Sequence, residues 1–497
     1  MEAILLLGSA RGAGLIVTIA RSKVLAIFLG TGGVGLLGLL RTFLDPLANL
    51  LQFGVNAGVV KFVAQHRAAG DEAAVRATIS TAAWFFLAVA SAALFLVLVF
   101  SRMLAIHLFE SEHYRHLIIL SGLSLPLTVF AAFFNACLIG AQRIGTITRI
   151  HYVGHAVALV VTIPLIVFYG LTGAVAGLLA LELFYCAAYG LAAARHVPVN
   201  MGSFHAGTLL TLSSYGVATL ADSGCWLLVF FVARLHFTKR FGFDANGLYQ
   251  IIFLLSFNYL SVLLFAINTY LLPRIAALAD DRGTADEVNT ALRGVWLMMA
   301  PVMVALTLFI RPLIWLFSTR EFYDAAAFLP WQLVGDVFFL TWAVAGLGLL
   351  GRGRLRAFIA IGVARSVIFI AAYFAIEWAA GRIDPEAAIP GTPAAFAGLS
   401  GWRGLVWAYA LSGIVASALA LAALKTLYGF TLRPENRFLI GLSACAMLPV
   451  LFLPNAPSLA AAAKIAAVLV WLPLVVRRAE WRAGWRWGRE LLSRSAS

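Results

Sequence analysis

Long apolar blocks alternate with short polar stretches over almost the whole chain. The blocks fall at residues 9–29, 34–60, 77–101, 116–140, 150–169, 174–194, 208–233, 247–272, 291–317, 327–350, 355–378, 404–428, 437–453 and 459–476. A helix needs about 20 apolar residues to cross a bilayer, so this pattern predicts an all-α, polytopic integral membrane protein of about 14 spans. The polar stretches are short, and the longest runs from Ala379 to Arg403.

Polar residues inside these blocks are costly in hydrocarbon and tend to face a cavity or a partner. In the second block Arg41, Asp45, Asn49, Gln52 and Asn56 recur at helical spacing. On a regular helix they occupy roughly 80° of one face. Pro46 lies within the run and is expected to kink it. The stripe lines a water-filled cavity, or else an Arg41–Asp45 pair and three amides join helices. In the first block Arg11, Thr18 and Ser22 share a face, with Arg21 about 80° away from it and Lys23 on another side. Arg11 also suits an interfacial position from which it snorkels. Further along, Thr211, Tyr215 and Asp222 share a face, as do Gln250, Ser261 and Asn268. Asp336 follows Gln332 by one turn, Glu182 stands near Tyr185 and Tyr189, and Arg365 is the charge in the middle of its block. Each lone carboxylate is a candidate for proton or cation coupling, Asp45 and Asp222 foremost, or a paired structural residue.

The chain also repeats itself. "VARLHF" (232–237) and the segment 243–276 echo residues 19–64, and "LFIRPLIWLFSTREFYDA" (308–325) echoes "LVFSRMLAIHLFESEHYRH" (98–116). Both echoes lie about 210 residues apart, which predicts six spans repeated as six spans in the same orientation. The expected organisation is an N-terminal lobe at 1–200, a C-terminal lobe at 201–430, an added hairpin at 431–477 and a tail at 478–497.

Composition narrows the class. Hydrophobic residues make up 62%, charged residues 12%, and the mean hydropathy is +0.94. Soluble, disordered and disulfide-scaffold proteins are excluded. The net charge is +14, but most Lys and Arg sit in even-numbered loops and the tail. That bias places both termini in the cytoplasm and explains the charge without nucleic acid as a partner. The N-terminus lacks the charged region, short apolar core and small-residue site of a cleaved signal, so the first span is expected to stay as an anchor. Cys137, Cys186, Cys225 and Cys445 show neither metal nor redox spacing. His107, Glu110, Glu112, His113 and His116 suggest metal, yet the repeat copy has no His, which favours an external loop. The tail alternates Arg with Trp481, Trp485 and Trp487, as an amphipathic segment on anionic lipids does. No nucleotide-binding loop, zinc motif or nucleophile elbow is present in the sequence, and no cofactor or metal is expected. The segment around Arg382, Asp384 and Glu386 is too small and plain for the catalytic loop of a glycan polymerase.

Intramembrane arginines outnumber carboxylates in the first two spans. A cationic cavity suits an anionic head group, pyrophosphate above all, because guanidinium binds phosphoryl oxygens in a bidentate manner.

"KVLAIFLGTGGVGLLGLLRTF" (23–43) and the stretch from Gly54 to Thr81 resemble the opening spans and first cytoplasmic loop of the Wzx-type O-antigen and enterobacterial common antigen flippases of the MOP exporter superfamily. The resemblance continues more loosely to about residue 428 along the twelve-span repeat. It implies a MATE-like V of two six-helix bundles around a pseudo-twofold axis along the membrane normal. It also implies transport, not catalysis, in the bacterial inner membrane. The substrate would be an undecaprenyl-pyrophosphate-linked oligosaccharide, moved from the cytoplasmic to the periplasmic leaflet for surface polysaccharide synthesis. A polymerase and a chain-length regulator would be its partners. Arg21 matches the first-span arginine of the related lipid II flippases. Their second- and eighth-span arginines fall near Asn49 and Gly247, which argues against lipid II itself. On this reading Arg21 and Arg41, with Arg365, take the pyrophosphate, and Asn49, Gln52 and Asn56 take sugar hydroxyls. Rival readings are a cation-coupled multidrug antiporter with an acidic cavity, a membrane glycan polymerase or transferase, and a scaffold of a glycan assembly complex.

Overall fold

The computed structural model describes residues 2–198, 202–214, 216–278, 281–380, 403–447, 451 and 459–476. The segment 381–402, the Trp-rich tail, Tyr215, the side chain of Arg11 and the turn of the added hairpin lie outside the described residues. Every element among the described residues is helical. The first repeat contains α1 Glu2–Leu51, α2 Val55–Ala68, α3 Glu72–Val99, α4 Ser101–Phe109, α5 Arg115–Gly140, α6 Ile144–Val157 and α7 Ile163–His196. The second contains α8 Ala206–Ser214, α9 Val217–Ala277, α10 Asp281–Leu308, α11 Ile310–Phe317, α12 Leu329–Gly351, α13 Leu355–Ala380 and α14 Gly404–Tyr428, followed by α15 Pro434–Leu442 and α16 Leu459–Val475.

Among the described residues, nine helical runs are long and apolar enough to cross a membrane. Two of them hold 53 residues, about 80 Å of straight helix and far more than one bilayer core. Each long run is divided by one glycine with non-helical backbone angles. The breaks are Gly170 at φ 55° and Gly242 at φ 84°, and Gly30 at φ 63° divides α1 in the same way. A positive φ is open to Gly at little cost, so the glycines set where the helices bend. Gly30 and Gly242 hold matching places in the sequence repeat. The short helices α4 and α11 match as well, each followed by a 3-10 turn at Glu112–Tyr114 and Arg320–Ala327.

One expectation is corrected here: the apolar block 34–60 is not one helix. Pro46 sits inside α1, which runs on past it to Leu51. The chain instead leaves the helix at Gln52–Gly54, where Phe53 (φ 44°) and Gly54 (φ 68°) adopt left-handed angles. A Cβ on Gly54 would overlap the backbone of Gly216, and one on Gly216 would overlap Gly54. The close crossing of the two chains selects glycine at both positions.

Packing divides the chain into two units. One comprises Met1–Leu254, Ile314–Ala325 and Gly362–Ile370; the other comprises Leu255–Leu313, Ala326–Ile361 and Ala371–Ser497. The first unit has two apolar cores. One gathers Val59, Val63, Ile79, Phe86, Phe133 and Leu138 from α2, α3 and α5. The other gathers Leu36, Leu39, Leu40, Leu117, Ile166 and Val175, with Phe231, Leu235 and Phe243 of α9 packed on it. Repeat one and the start of repeat two thus share a core. They cross at Gly35 and Gly247, where a Cβ on Gly35 would overlap the carbonyl of Phe243 and one on Gly247 that of Thr31. This reciprocal contact between matching residues is a local pseudo-twofold.

The second unit is built on α12 and α14. The ring of Tyr409 lies over Gly335, where a side chain would collide with it. Asp336 is fully buried beside this contact. It accepts from Ser256 Oγ (2.7 Å), Tyr409 Oη (2.9 Å), Gln332 Nε2 (3.2 Å) and Tyr259 Oη. Four neutral donors on one buried carboxyl form a polar knot, and removing any member leaves another unsatisfied.

Candidate ligand cavity

The first unit contains a cavity of about 150 Å³. Four helical segments wall it. Thr18, Arg21, Ser22 and Leu25 come from α1 before Gly30; Val34, Leu37, Gly38 and Arg41 come from α1 after it. Leu178 of α7 and Gln250, Ile251 and Leu254 of α9 complete the lining. The break at Gly30 is what lets two parts of one helix face the same space.

Two guanidinium groups and no carboxylate belong to this lining. Arg21 Nε is buried and has no acceptor among the described residues. Arg41 is exposed, and among the described residues no ion pair joins it to Asp45. The two arginines lie within electrostatic reach of each other, and Arg21 also of Tyr185. Behind them, Glu182 receives a hydrogen bond from Thr128 and lies within reach of both Arg41 and Asp45. Like charges held together in a low-dielectric site repel, so an anion between them is favoured.

The remaining stripe residues leave the cavity. Asp45 and Asn49 are exposed, and Asn49 Nδ2 bonds the Asp45 carbonyl at 2.8 Å. Gln52 stands at the helix break and bonds the Ala48 carbonyl at 3.1 Å. Asn56 opens α2 and donates to Gln52 Oε1 at 2.8 Å. The five residues therefore do not share one continuous face, because the turn at Phe53 and Gly54 resets the angular count.

Arg365 and Asp222 meet each other. They approach at 3.8 Å, and Arg365 lies 4.3 Å from the ring centre of Trp226. Both are buried, and neither lines the cavity. A side chain at Gly362 would collide with Asp222, so this glycine makes room for the pair. Lys23 is engaged elsewhere too. Its Nζ donates to the carbonyls of Trp315 and Ser318 and lies 4.4 Å from the Trp315 ring centre, which caps the end of α11. Thr211 bonds the Gly207 carbonyl at 2.9 Å, and the chain is not helical at Gly216 between Thr211 and Asp222. Ser261 and Asn268 bond carbonyls of their own helix. His107 and His116 likewise bond local carbonyls, at 2.8 and 2.9 Å.

One functional candidate falls outside the apolar blocks. Arg234 stands just past the end of the block 208–233, yet it lies inside α9 at 1% exposure. Its Nε donates to Asn246 Oδ1 at 2.8 Å, its Nη1 to Thr42 Oγ1 at 2.8 Å, and its Nη2 to Gln250 Oε1. The repeat carried the signal, since "VARLHF" places Arg234 against Arg21.

Comparison with known proteins brings further findings. A family model described as polysaccharide biosynthesis protein matches residues 24–327. The lipid III flippase of Escherichia coli (strain K12) is 24% identical over 376 residues, which cover 72% of this chain and 86% of that protein. Among solved structures, the lipid II flippase MurJ in an inward closed conformation superposes with a TM-score of 0.69 at 13% identity, covering 95% of this chain and 97% of that one. A multidrug resistance MATE family transporter of the MOP superfamily, in an inward-facing conformation, gives 0.62 at 15% identity, covering 86% and 99%. At these identities the two structures speak to the fold alone, an all-α architecture shared with those two proteins.

Proposed function

The chain belongs to the polysaccharide biosynthesis protein family, and from that premise we propose that it is a flippase for an undecaprenyl-pyrophosphate-linked oligosaccharide. It would carry this substrate from the cytoplasmic to the periplasmic leaflet of the bacterial inner membrane, with both of its termini in the cytoplasm. The lipid III flippase relative supports the substrate class. The observation that carries the reading is the cavity lined by Arg21 and Arg41, in which a buried guanidinium N–H lacks an acceptor among the described residues.

The physics of the substrate fits such a site. A pyrophosphate cannot enter hydrocarbon bare, because an unpaired ion there costs many kcal/mol. Two arginines offer it charge-assisted bonds in place of water. The polyprenyl chain has the opposite preference, at about 0.8 kcal/mol for each buried CH₂. The tail therefore stays in lipid while the head group crosses. At about 30 Å³ per water, 150 Å³ holds a few waters or a diphosphate but no glycan. Passage of the glycan then requires the cavity walls to part, as alternating access provides. Asn49 on the exposed edge of α1, Gln52 at the helix break and Asn56 at the start of α2 remain the candidates for sugar hydroxyls. Asp45, with Glu182 behind it, is the coupling candidate next to Arg41; Asp222 is held by Arg365. A polymerase and a chain-length regulator are the proposed partners downstream.

Deleting the gene and weighing the undecaprenyl-linked intermediates tests this. The expected result is accumulation of completed oligosaccharide on the cytoplasmic face and loss of surface polysaccharide. Unchanged surface polysaccharide would overturn the reading. The shared fold also admits a multidrug antiporter. That reading predicts resistance to cationic dyes on overexpression, and a cavity lined by arginine opposes it.

A further inference from the structure

Arg234 is a buried intramembrane cation whose hydrogen-bond partners among the described residues are all neutral: Asn246, Thr42 and Gln250, with the rings of Tyr249 and Phe253 at 5.4 and 5.8 Å. No ion pair joins it to a carboxylate among the described residues. A charge so placed is retained at a cost of several kcal/mol unless something nearby makes use of it.

The cavity lies directly beside it. Gln250 and Gly38 belong to the cavity lining, and both touch the Arg234 guanidinium from the other side. A Cβ on Gly38 would stand 2.7 Å from Arg234 Nη2 and 2.7 Å from Gln250 Oε1, so glycine is what lets the contact lie against the wall. Arginine can only donate. The Gln250 atom facing it is therefore the carbonyl oxygen, which turns the amide NH₂ the other way. That NH₂ has no partner among the described residues, on a side chain that lines the cavity.

We propose that Arg234 is a positioning residue for the anionic ligand: it pins the Gln250 carbonyl, presents the amide NH₂ to the cavity beside Arg21 and Arg41, and adds a third positive charge behind the wall. The guanidinium and amide groups that the cavity offers are then all donors, with the Thr18 and Ser22 hydroxyls beside them, which favours a diphosphate over a cationic head group. The inference rests on the reading of the cavity as a diphosphate site. Arg234 also fixes the crossing itself, since Asn246, held by its Nε, donates to the Gly35 carbonyl at 2.6 Å.

The test is titration of inorganic pyrophosphate into the purified full-length protein and its variants, with thermal melting alongside. Gln250→Glu is the decisive variant. It keeps the size of the side chain and gives Arg234 an ionic partner, so the melting temperature should hold or rise. Pyrophosphate affinity should nevertheless fall about tenfold or more, because a donor becomes an acceptor of the wrong charge. In the Gln250→Leu background, Arg234→Gln should cost much less affinity than it does in the native protein, a coupling that a purely structural role would not produce. If Arg41→Ala abolishes binding while Gln250→Glu binds like the native protein, this inference fails and the diphosphate reading stands. A native protein indifferent to pyrophosphate overturns both.

Discussion

Arg21 and Arg234 hold matching places in the two repeats, each shortly before a left-handed glycine, yet their surroundings differ. Arg21 faces a cavity and has an N–H with no acceptor among the described residues. Arg234 is sealed, with all three guanidinium nitrogens bonded to named acceptors. The same residue type at the same place lines the cavity in one repeat and holds a residue of its wall in the other. Duplication supplied two arginines, and the acceptors around each decided its role.

Breaking the open half of this comparison should give the largest effect. Arg41→Ala, and still more the pair Arg21→Ala with Arg41→Ala, should lower oligosaccharide transport about 100-fold at normal expression, because the substrate charge then enters unpaired. The assay is surface polysaccharide normalised to membrane protein level. Breaking the sealed half should act on stability. Arg234→Met orphans Asn246, Gln250 and Thr42 and should cost about 3 kcal/mol, read as a fall in melting temperature in detergent. By contrast Arg21→Met should leave melting unchanged or raise it, since it removes a buried donor without an acceptor.

The other unit supplies a control. Asp336→Leu leaves four donors of the knot unpaired and should cost about 2 kcal/mol. The same melting assay reads this loss, and pyrophosphate affinity should not move. The smallest effect is expected at Lys23. Lys23→Met removes the cap on the carbonyls of Trp315 and Ser318 and should cost about 1 kcal/mol, seen as faster hydrogen exchange at the end of α11.

The apolar blocks and the repeat were legible in the sequence because both rest on local periodicity. Gly30, Gly242 and the α4 and α11 pair fall where the echo of residues 19–64 and 98–116 requires. Arg21 and Arg41 were legible as candidates because charge inside an apolar block is rare. What escaped depends on contacts between distant segments. Arg234 lies at the edge of its apolar block, and only the approach of Thr42 and Gln250 shows that the helix continues past it. Arg365 and Asp222 each looked solitary until the fold joined α13 to α9. The break at Phe53 has no proline to announce it; the crossing of Gly54 on Gly216 imposes it. The stripe from Arg41 to Asn56 was therefore read one turn too far.

The most direct measurement is transbilayer movement in vesicles holding the purified protein and an undecaprenyl-pyrophosphate-linked oligosaccharide. Movement is followed by access of the glycan to an impermeant reagent. The native protein should expose the glycan on the far leaflet, and the Arg21→Gln, Arg41→Gln protein should leave it where it began. Equal rates for the two proteins would contradict a cationic cavity as the route of the head group.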